Sequence, residues 1–234
     1  MAKVISNKKL DNESYYLLTV QLKNNAKMGQ FYMLRKWDND PILSRPFSVF
    51  DRDENHVTFL YKVVGKGTNI LSTLKPGEDI TCYGPYGNTF PQVKGRIALV
   101  AGGVGIAPLY LAAKTLRNED AKVDIYYSLR GKEILRKELS EVSDYLLLRT
   151  NERVVKDVDA SKYDYIFTCG PESLMRDLYR KAKEAGTVLY ASLERRMACG
   201  IGVCYSCTCR TSHGNKLTCK DGPIFLGREI FGNE

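Results

Sequence analysis

Four cysteines near the C-terminus have the spacing of an iron–sulfur ligand set. Cys199, Cys204, Cys207 and Cys219 give C-x4-C-x2-C followed by C-x11-C, which is the plant-type pattern of a [2Fe–2S] cluster. Each iron of such a cluster takes two terminal thiolates, so a tight loop can supply three and a later segment the fourth. The spacing therefore predicts a [2Fe–2S] cluster and a chain that carries electrons.

Two alternatives to this ligand set remain open in the sequence. A structural zinc site usually has two C-x2-C pairs or a mixture of cysteine and histidine, and this region contains one C-x2-C pair. Cys209 follows Cys207 by two residues, so on a strand both thiols would face the same way and Cys209 could replace Cys207. The plant-type spacing favours Cys207.

Two segments in the first half of the chain could bind phosphate. Arg45-Pro46-Phe47-Ser48 opens a predicted strand, where an arginine can form paired hydrogen bonds to a phosphate. The segment 64–68, VGKGT, joins a strand to a predicted helix over 68–74, and its backbone N–H groups could bind a diphosphate. The structural alternatives are a surface arginine and a helix entry with Thr68 as N-cap.

Two glycine turns follow strands in the second half. Gly102, Gly103 and Gly105 lie between a buried strand and a helix, the context of a nucleotide-binding turn. Cys169 and Gly170 end a later strand, and ligands collect at the carboxyl ends of the strands of an open α/β sheet. Cys169 could line a nicotinamide site, or it could be a buried structural thiol.

The elements divide the chain into three parts, and the predicted fold class is α+β multidomain. An antiparallel barrel is predicted over 1–93, an α/β parallel-sheet domain over 94–192 and a small cysteine module over 193–234. The barrel strands are predicted at YYLLTVQLK, QFYMLRKW, RPFSVFDR, HVTFLYKVV and DITCYG. The α/β part begins with RIALVAGGVGIAPLYLAAKTLRN, which is predicted to be a buried strand, a glycine turn and an amphipathic helix. It continues with strands at VDIYYSLR, YLLLRT and DYIFTCG and helices at KEILRKELSEV and PESLMRDLYRKAKEAG.

Composition limits the function classes. The chain has 234 residues, 44% of them hydrophobic, and a net charge of +8 that is spread along its length. No basic run indicates a nucleic-acid arm, and no apolar run has the roughly 20 residues of a membrane span. Seven cysteines, an odd number, fit free thiols or cluster ligands better than a disulfide framework, which predicts a reducing cytoplasm.

Together these motifs resemble the ferredoxin reductase-type flavoproteins. RPFS, GKGT, AGGVGIAP and TCGP occur in that family's order, and the tail ERRMACGIGVCYSC narrows the resemblance to the electron-transfer subunits of NAD-linked (class 1B) dihydroorotate dehydrogenases. The resemblance implies an FAD-binding barrel, an NAD-binding α/β domain and a [2Fe–2S] module. Residue by residue, it implies that FAD is bound by these positions: Arg45, Pro46, Phe47, Ser48, Leu60, Tyr61, Lys62, Gly67 and Thr68.

The same resemblance implies a reaction and a partner. An FMN-containing catalytic subunit would oxidise dihydroorotate, in pyrimidine biosynthesis, and pass electrons through the cluster and FAD to NAD⁺. The implied assembly is a heterotetramer with two copies of each subunit, without nucleic acid or membrane. The resemblance assigns no catalytic acid or base to this chain.

Three alternatives accompany that interpretation. The small subunits of NAD(P)H-linked, bifurcating ferredoxin oxidoreductases are similar. In that family the first ligand position resembles an aspartate, whereas in this chain it is Cys199. A zinc-binding scaffold is the alternative from another class. Ser128 and Arg130 end a predicted strand and could contact the 2′-phosphate of NADP, although the resemblance favours NAD.

Overall fold

A closed six-stranded barrel forms the first part of the chain. The computed structural model describes residues 1–12 and 14–232, and its barrel has the antiparallel strand order β1-β2-β5-β4-β3-β6. Closure leaves no unpaired strand edge and encloses one face of every strand. The elements are β1 (Ala2–Lys9), β2 (Tyr15–Gln21), β3 (Phe31–Arg35), β4 (Arg45–Arg52), β5 (His56–Lys62), α1 (Lys66–Ser72) and β6 (Asp79–Tyr86).

Two expectations for the barrel need correction. Strand β1 was not predicted, because only Ala2 and Val4 are buried in a stretch otherwise rich in lysine, asparagine and serine. Helix α1 begins at Lys66 with Gly65 as its N-cap, so the assignment of Thr68 as N-cap is wrong. The Thr68 hydroxyl instead accepts hydrogen bonds from the backbone N–H groups of Val64 and Gly65, at 2.9 and 3.1 Å.

A six-stranded sheet with the order β14-β11-β10-β7-β8-β9 forms the second part. Five strands are parallel, as the strand–helix alternation predicts, and β14 is antiparallel to β11. The elements are β7 (Arg96–Gly102), α2 (Ile106–Arg117), β8 (Lys122–Leu129), α3 (Arg136–Glu141), β9 (Tyr145–Thr150), β10 (Tyr165–Cys169), α4 (Glu172–Ala185), β11 (Val188–Ser192) and β14 (Ile224–Leu226).

The cysteine-rich segment is small and contacts both the barrel and the α/β sheet. It contains a hairpin of β12 (Thr208–Thr211) and β13 (Gly214–Leu217), and it ends in β14 and helix α5 (Gly227–Phe231). Because β14 pairs with β11, the segment returns to the α/β sheet. The predicted boundaries after 93 and 192 fall in connections between strands, and the division into three domains stays a prediction.

Aromatic stacking and one ion pair join the barrel to the α/β sheet. Phe50 of β4 stacks on Tyr110 of α2 with ring centroids 4.1 Å apart, and the Lys114 ammonium lies 2.8 Å from the Asp51 carboxylate. One buried hydrophobic cluster runs through both parts. The cleft between them therefore has firmly packed walls.

The predicted fold class is confirmed by this architecture: a barrel, a mainly parallel sheet and a short C-terminal segment. None of the helices in the two described stretches has both the length and the apolar character needed to cross a bilayer.

Candidate functional site

A cavity of about 310 Å³ lies in the cleft between the barrel and the α/β sheet. Its barrel wall comes from the neighbouring strands β3, β4 and β5, the turn that follows β5 and the start of α1. This wall consists of Phe31, Arg45, Pro46, Phe47, Ser48, Leu60, Tyr61, Lys62, Val64 and Thr68. Eight of the nine residues that the resemblance assigns to FAD are in this wall, because hydrogen-bonded strands bring the two motifs side by side.

Gly67, the ninth of those residues, does not line the cavity and instead packs behind Arg45. A Cβ atom at Gly67 would lie 3.2 Å from Arg45 Nε and 3.0 Å from Trp37 Cη2. The Arg45 Nη1 donates to the carbonyl oxygen of Leu43 at 2.5 Å. Within residues 1–12 and 14–232, no carboxylate pairs with Arg45, so its charge is available to an anionic ligand.

The opposite wall of this cavity comes from residues that the sequence analysis did not select. They are Val104, Ala107, Ser192, Leu193, Glu194, Arg195, Met197 and Pro223. Half of them directly follow β11, which was not predicted as a strand. Recognising TVLYAS as the last parallel strand would have placed Glu194 and Arg195 at its carboxyl end, where ligands bind in such sheets.

A second cavity, of about 380 Å³, opens beside the first and shares Lys62, Val104, Leu193, Glu194 and Arg195 with it. Gly102, Gly103 and Gly170, which belong to the two predicted glycine turns, line this second cavity. Gly105 and Cys169 do not line it. Cys169 is fully buried, which is the structural-thiol alternative considered from the sequence.

Glu194, which lines both cavities, lies next to the buried Cys169. The Cys169 Sγ is 4.0 Å from Glu194 Oε1. Burial, together with the nearby Glu194 carboxylate, raises the pKa of Cys169 well above its ordinary value. Glu194 is open to water in the cavities but enclosed by protein on its other sides, and this burial raises the pKa of its carboxyl group. The ionisable carboxyl group of Glu194 therefore lies where the two cavities meet.

Gly105 is needed for close packing, and this predicts a stability effect. A Cβ atom at Gly105 would overlap with the backbone of Cys169 and would lie 2.7 Å from the Gly170 nitrogen. Replacing Gly105 with alanine should lower the free energy of unfolding by about 1–3 kcal/mol, the usual cost of overpacking. Denaturant unfolding, followed by circular dichroism, measures this change.

Gly65→Ala is the matched control for that substitution. Gly65 has a φ of −178° and no atom within 4 Å of an added Cβ, so alanine fits there without strain. Equal stability of the Gly105→Ala variant and the wild type would show that the turns after β7 and β10 do not pack as described.

The four predicted ligand cysteines occur as two neighbouring pairs. The Cys199 thiol is hydrogen-bonded to the Cys204 side chain, and Cys207 Sγ accepts a hydrogen bond from the Cys219 backbone N–H at 3.4 Å. Cys204 is exposed, whereas Cys207 and Cys219 are each 3% exposed. In the described stretches, no three cysteine, histidine or acidic side chains converge as they would around a single ion. Two pairs match a two-iron cluster, since each iron takes two terminal thiolates.

Backbone N–H groups surround the thiols of this loop. Burial opposes ionisation of Cys199, but hydrogen bonds from the backbone N–H groups of Ile201, Cys204 and Val203, and from the Cys204 thiol, lower the pKa of Cys199 to about 6. Burial, together with the Cys207 thiol, raises the pKa of Cys219 to about 12. The solvent-facing part of the loop therefore stabilises a thiolate, whereas the part that packs on the protein is apolar. Four thiols in these surroundings fit the ligands of an iron–sulfur cluster.

Cys207 and Cys209 do not face the same way. Cys207 precedes β12 and packs with Phe31, Met33 and Cys219, whereas Cys209 lies on β12 in the cluster of the α/β sheet. The expectation that both thiols point together is wrong, because Cys207 is not part of the strand. Cys82 on β6 is half-buried and packs against the main hydrophobic cluster rather than inside it, and desolvation raises its pKa to about 12.

The cysteine loop and the first cavity share a wall. Phe31 and Met197 line the cavity and also pack in the hydrophobic cluster that contains Cys207 and Cys219. A Cβ atom at Gly200 would lie 2.7 Å from Met33 Cγ, so the loop backbone rests directly on β3. A ligand in this cavity and a cluster on these cysteines would be separated by one layer of side chains.

The two residues considered for a 2′-phosphate differ in their surroundings. Ser128 is buried, and its hydroxyl donates to the carbonyl oxygen of Ala101 at 3.4 Å. Arg130 is exposed just beyond the end of β8. Ser128 is therefore engaged within the sheet, while the Arg130 side chain faces solvent.

Known proteins show similarity along the whole chain. A model of the iron–sulfur cluster binding domain of dihydroorotate dehydrogenase B matches residues 194–231. The electron transfer subunit of dihydroorotate dehydrogenase B (NAD(+)) from Clostridium acetobutylicum is 40% identical over 99% of this chain and 97% of that protein. The corresponding subunit from Clostridium perfringens is 40% identical over 93% and 92%.

A solved structure gives the same picture for the fold. It is a chain of the NADH-dependent reduced ferredoxin-NADP oxidoreductase, solved in a study of flavin-based electron bifurcation. The two chains superpose with a TM-score of 0.85 and are 31% identical in sequence. The match covers 98% of this chain and 89% of that chain. Similarity at this level extends over the barrel, the sheet and the cysteine segment together.

Proposed function

This chain belongs to the family of the electron-transfer subunits of dihydroorotate dehydrogenase B, and we propose that it carries electrons from a dihydroorotate-oxidising flavoprotein to NAD⁺. The observation that carries the proposal is the shared wall of Phe31 and Met197 between the first cavity and the cysteine loop. A flavin in this cavity and a cluster on these cysteines would therefore be close enough to exchange electrons within one chain.

The first cavity fits FAD by shape and by charge. Its apolar part, with Phe47, Leu60 and Tyr61, suits a flat ring. Arg45, without a carboxylate partner in the described residues, offers a planar set of donors that suits phosphate oxygens. We assign to FAD the nine residues that the family resemblance indicates, with Ser48 beside the ring and Thr68 near the diphosphate.

The second cavity fits the nicotinamide nucleotide. It adjoins the flavin cavity and is lined by Gly102, Gly103 and Gly170. A Cβ atom at Gly103 would meet only the Tyr15 hydroxyl, at 3.5 Å, so a ligand can approach the backbone closely there. Of the five residues predicted for this nucleotide, Gly105 supports the floor by packing against Cys169. Glu194 lies between both cavities and can hold a proton beside the place where the two rings would meet.

Bound FAD exchanges one or two electrons and a [2Fe–2S] cluster exchanges one, so together they link a hydride carrier to one-electron transfer. The side chains of this chain hold these groups and exclude water. Cys199, Cys204, Cys207 and Cys219 would hold the cluster, and the side chains of Phe31 and Met197 would lie between it and the flavin. No side chain is assigned as a catalytic acid or base.

The partner, we propose, is an FMN-containing catalytic subunit, in an assembly with two copies of each chain. The partner docks on an exposed apolar patch of this chain, formed by Ile201, Val203 and Tyr205, which are 53%, 70% and 69% exposed. These residues surround Cys204, the most exposed of the four ligands. Apolar side chains clustered at the thinnest cover of a cluster mark a protein contact.

Seven free thiols fit a reducing cytoplasm.

Val203→Glu tests this docking surface. The variant should keep its cluster spectrum and its NADH oxidation by artificial electron acceptors, because Val203 is exposed and is not a ligand. NAD⁺ reduction driven by dihydroorotate in the reconstituted complex should fall roughly tenfold or more, because burying an unpaired carboxylate in an interface is costly. Gel filtration of the two subunits together reports the loss of association.

Ile5→Glu is the matched control, since Ile5 is an exposed apolar residue on β1 of the barrel. It should leave association and coupled activity unchanged. Full coupled activity of the Val203→Glu complex, with the partner still bound, would place the docking surface elsewhere.

A second candidate function follows from the 31% identity to the ferredoxin-NADP oxidoreductase chain. Higher identity, 40% over 99% of the chain, favours the dihydroorotate dehydrogenase B subunits, as does a cysteine at position 199. Incubation of the native complex with dihydroorotate and NAD⁺, and in parallel with reduced ferredoxin and NADP⁺, distinguishes the two functions.

The cofactor content of the purified chain tests the proposal at its first step. We expect FAD, iron and acid-labile sulfide, and a yellow-brown protein with overlapping flavin and iron–sulfur absorption. A colourless protein that contains zinc instead would overturn the proposed function and favour the scaffold alternative.

A further inference from the structure

We propose that Trp37 is a positioning residue for the flavin site, and that its indole ring holds the Arg45 guanidinium in the orientation that binds the FAD diphosphate. This inference rests on the proposed function, which assigns the first cavity to FAD. Trp37 is the only tryptophan in the chain, and it lies between β3 and β4, outside every motif of the sequence.

The two side chains form a cation–π contact at the edge of the cavity. The Arg45 Cζ lies 5.6 Å from the centroid of the Trp37 ring, and Trp37 is 7% exposed. The Arg45 Nη1 is directed by the carbonyl oxygens of Leu43 and Ser44, at 2.5 and 3.5 Å. The ring thus fixes the guanidinium plane while carbonyl oxygens fix one nitrogen, and the charge stays without a carboxylate partner in the described residues.

The backbone of α1 closes the contact from another side. The position of a Cβ on Gly67 lies 3.0 Å from Trp37 Cη2 and 3.2 Å from Arg45 Nε. A glycine at this position therefore lets the helix backbone touch both members of the pair. Arg45 is held between the indole ring and the Gly67 backbone.

Arg35 anchors the loop that carries Trp37. Its Nε donates to the Trp37 carbonyl oxygen at 2.7 Å, and its Nη1 donates to the Ile42 carbonyl oxygen at 2.5 Å. The same loop is joined to α1 by the ion pair of Asp40 with Lys66. The indole ring is therefore fixed at its backbone as well as at its face.

Holding Arg45 in advance should strengthen phosphate binding. An unrestrained arginine side chain loses rotamer freedom when it binds, and a planar guanidinium must also match the phosphate in orientation. A side chain already fixed by stacking has lost that freedom before the ligand arrives. An aliphatic residue at position 37 could fill the space but could not orient the cation.

The test measures the dissociation constant of FAD with flavin-free protein by fluorescence titration. Trp37→Leu should weaken FAD binding roughly three- to thirtyfold, the effect of losing a partly desolvated cation–π contact. Trp37→Phe keeps an aromatic face and should stay within about threefold of the wild type. Equal FAD affinity of the Leu, Phe and wild-type proteins would overturn the inference.

A double-mutant cycle separates positioning from general destabilisation. If Trp37 acts through Arg45, Trp37→Leu should have little further effect on FAD affinity in an Arg45→Ala background. Effects that multiply fully in the double variant would overturn the positioning role. If Arg45→Ala alone leaves FAD binding unchanged, the assignment of this cavity to FAD fails, which is a different result.

Phe50→Leu is the control for loss of a buried aromatic ring. Phe50 is on β4, the strand of Arg45, but stacks on Tyr110 away from the cavity lining. It should lower the melting temperature while leaving FAD affinity unchanged. An equal loss of FAD affinity in Phe50→Leu and Trp37→Leu would show that the Trp37 effect is only structural.

Discussion

Replacement of Cys207 with serine is expected to abolish the [2Fe–2S] cluster. Cys207 is 3% exposed and pairs with Cys219, so no other thiol of the loop can take its place without rebuilding the contact with β3. Serine offers a hard hydroxyl instead of the soft thiolate that iron–sulfur clusters require. Iron and acid-labile sulfide, measured per chain after anaerobic purification, should fall to near zero.

Cys209→Ser is the matched control, two residues away and equally buried at 3% exposure. It should keep a normal cluster, because Cys209 packs with the α/β sheet rather than with Cys207 and Cys219. If Cys209→Ser lost the cluster and Cys207→Ser kept it, Cys209 rather than Cys207 would be the ligand. Normal clusters in both Cys199→Ser and Cys204→Ser would disprove the ligand set altogether.

Arg45→Ala is expected to have the largest effect on flavin binding. Arg45 lines the cavity with its charge unpaired among the described residues, and a hydrogen bond to a charged group contributes about 1.5–3 kcal/mol. The FAD dissociation constant should therefore rise roughly 10- to 150-fold. Titration of flavin-free protein with FAD measures this directly, and chromatography of heat-released flavin should identify FAD rather than FMN.

Arg52→Ala provides the comparison, because Arg52 lies at the far end of the same strand and is exposed. It should not change FAD affinity. Release of FMN alone, or unchanged FAD affinity in Arg45→Ala, would contradict a diphosphate site at Arg45.

The sequence predicts the parts of the site that lie within continuous motifs. Arg45 to Ser48 and Leu60 to Lys62 occupy neighbouring strands of the barrel, and strand pairing necessarily brings such motifs together. The glycines at 102, 103 and 170 follow parallel strands, so their meeting at one edge of the sheet also follows from the predicted topology.

Other parts depend on contacts that no local pattern reveals. Glu194 reaches both cavities because β11 ends just before it, and β11 begins only three residues after the last residue of α4, so no turn sequence of its own marks it as a separate strand. Cys207 and Cys209 diverge because the strand begins between them. Trp37 meets Arg45 only through a loop whose course is set by Arg35.

Coupled turnover of the reconstituted complex tests the central claim most directly. The catalytic partner, this chain, dihydroorotate and NAD⁺ are combined under anaerobic conditions, and NADH formation is followed. We predict that NADH forms only when both subunits are present, and that it is lost with Cys207→Ser although dihydroorotate oxidation by an artificial acceptor continues. NADH formation by the partner alone, or undiminished formation with the Cys207→Ser chain, would contradict the account.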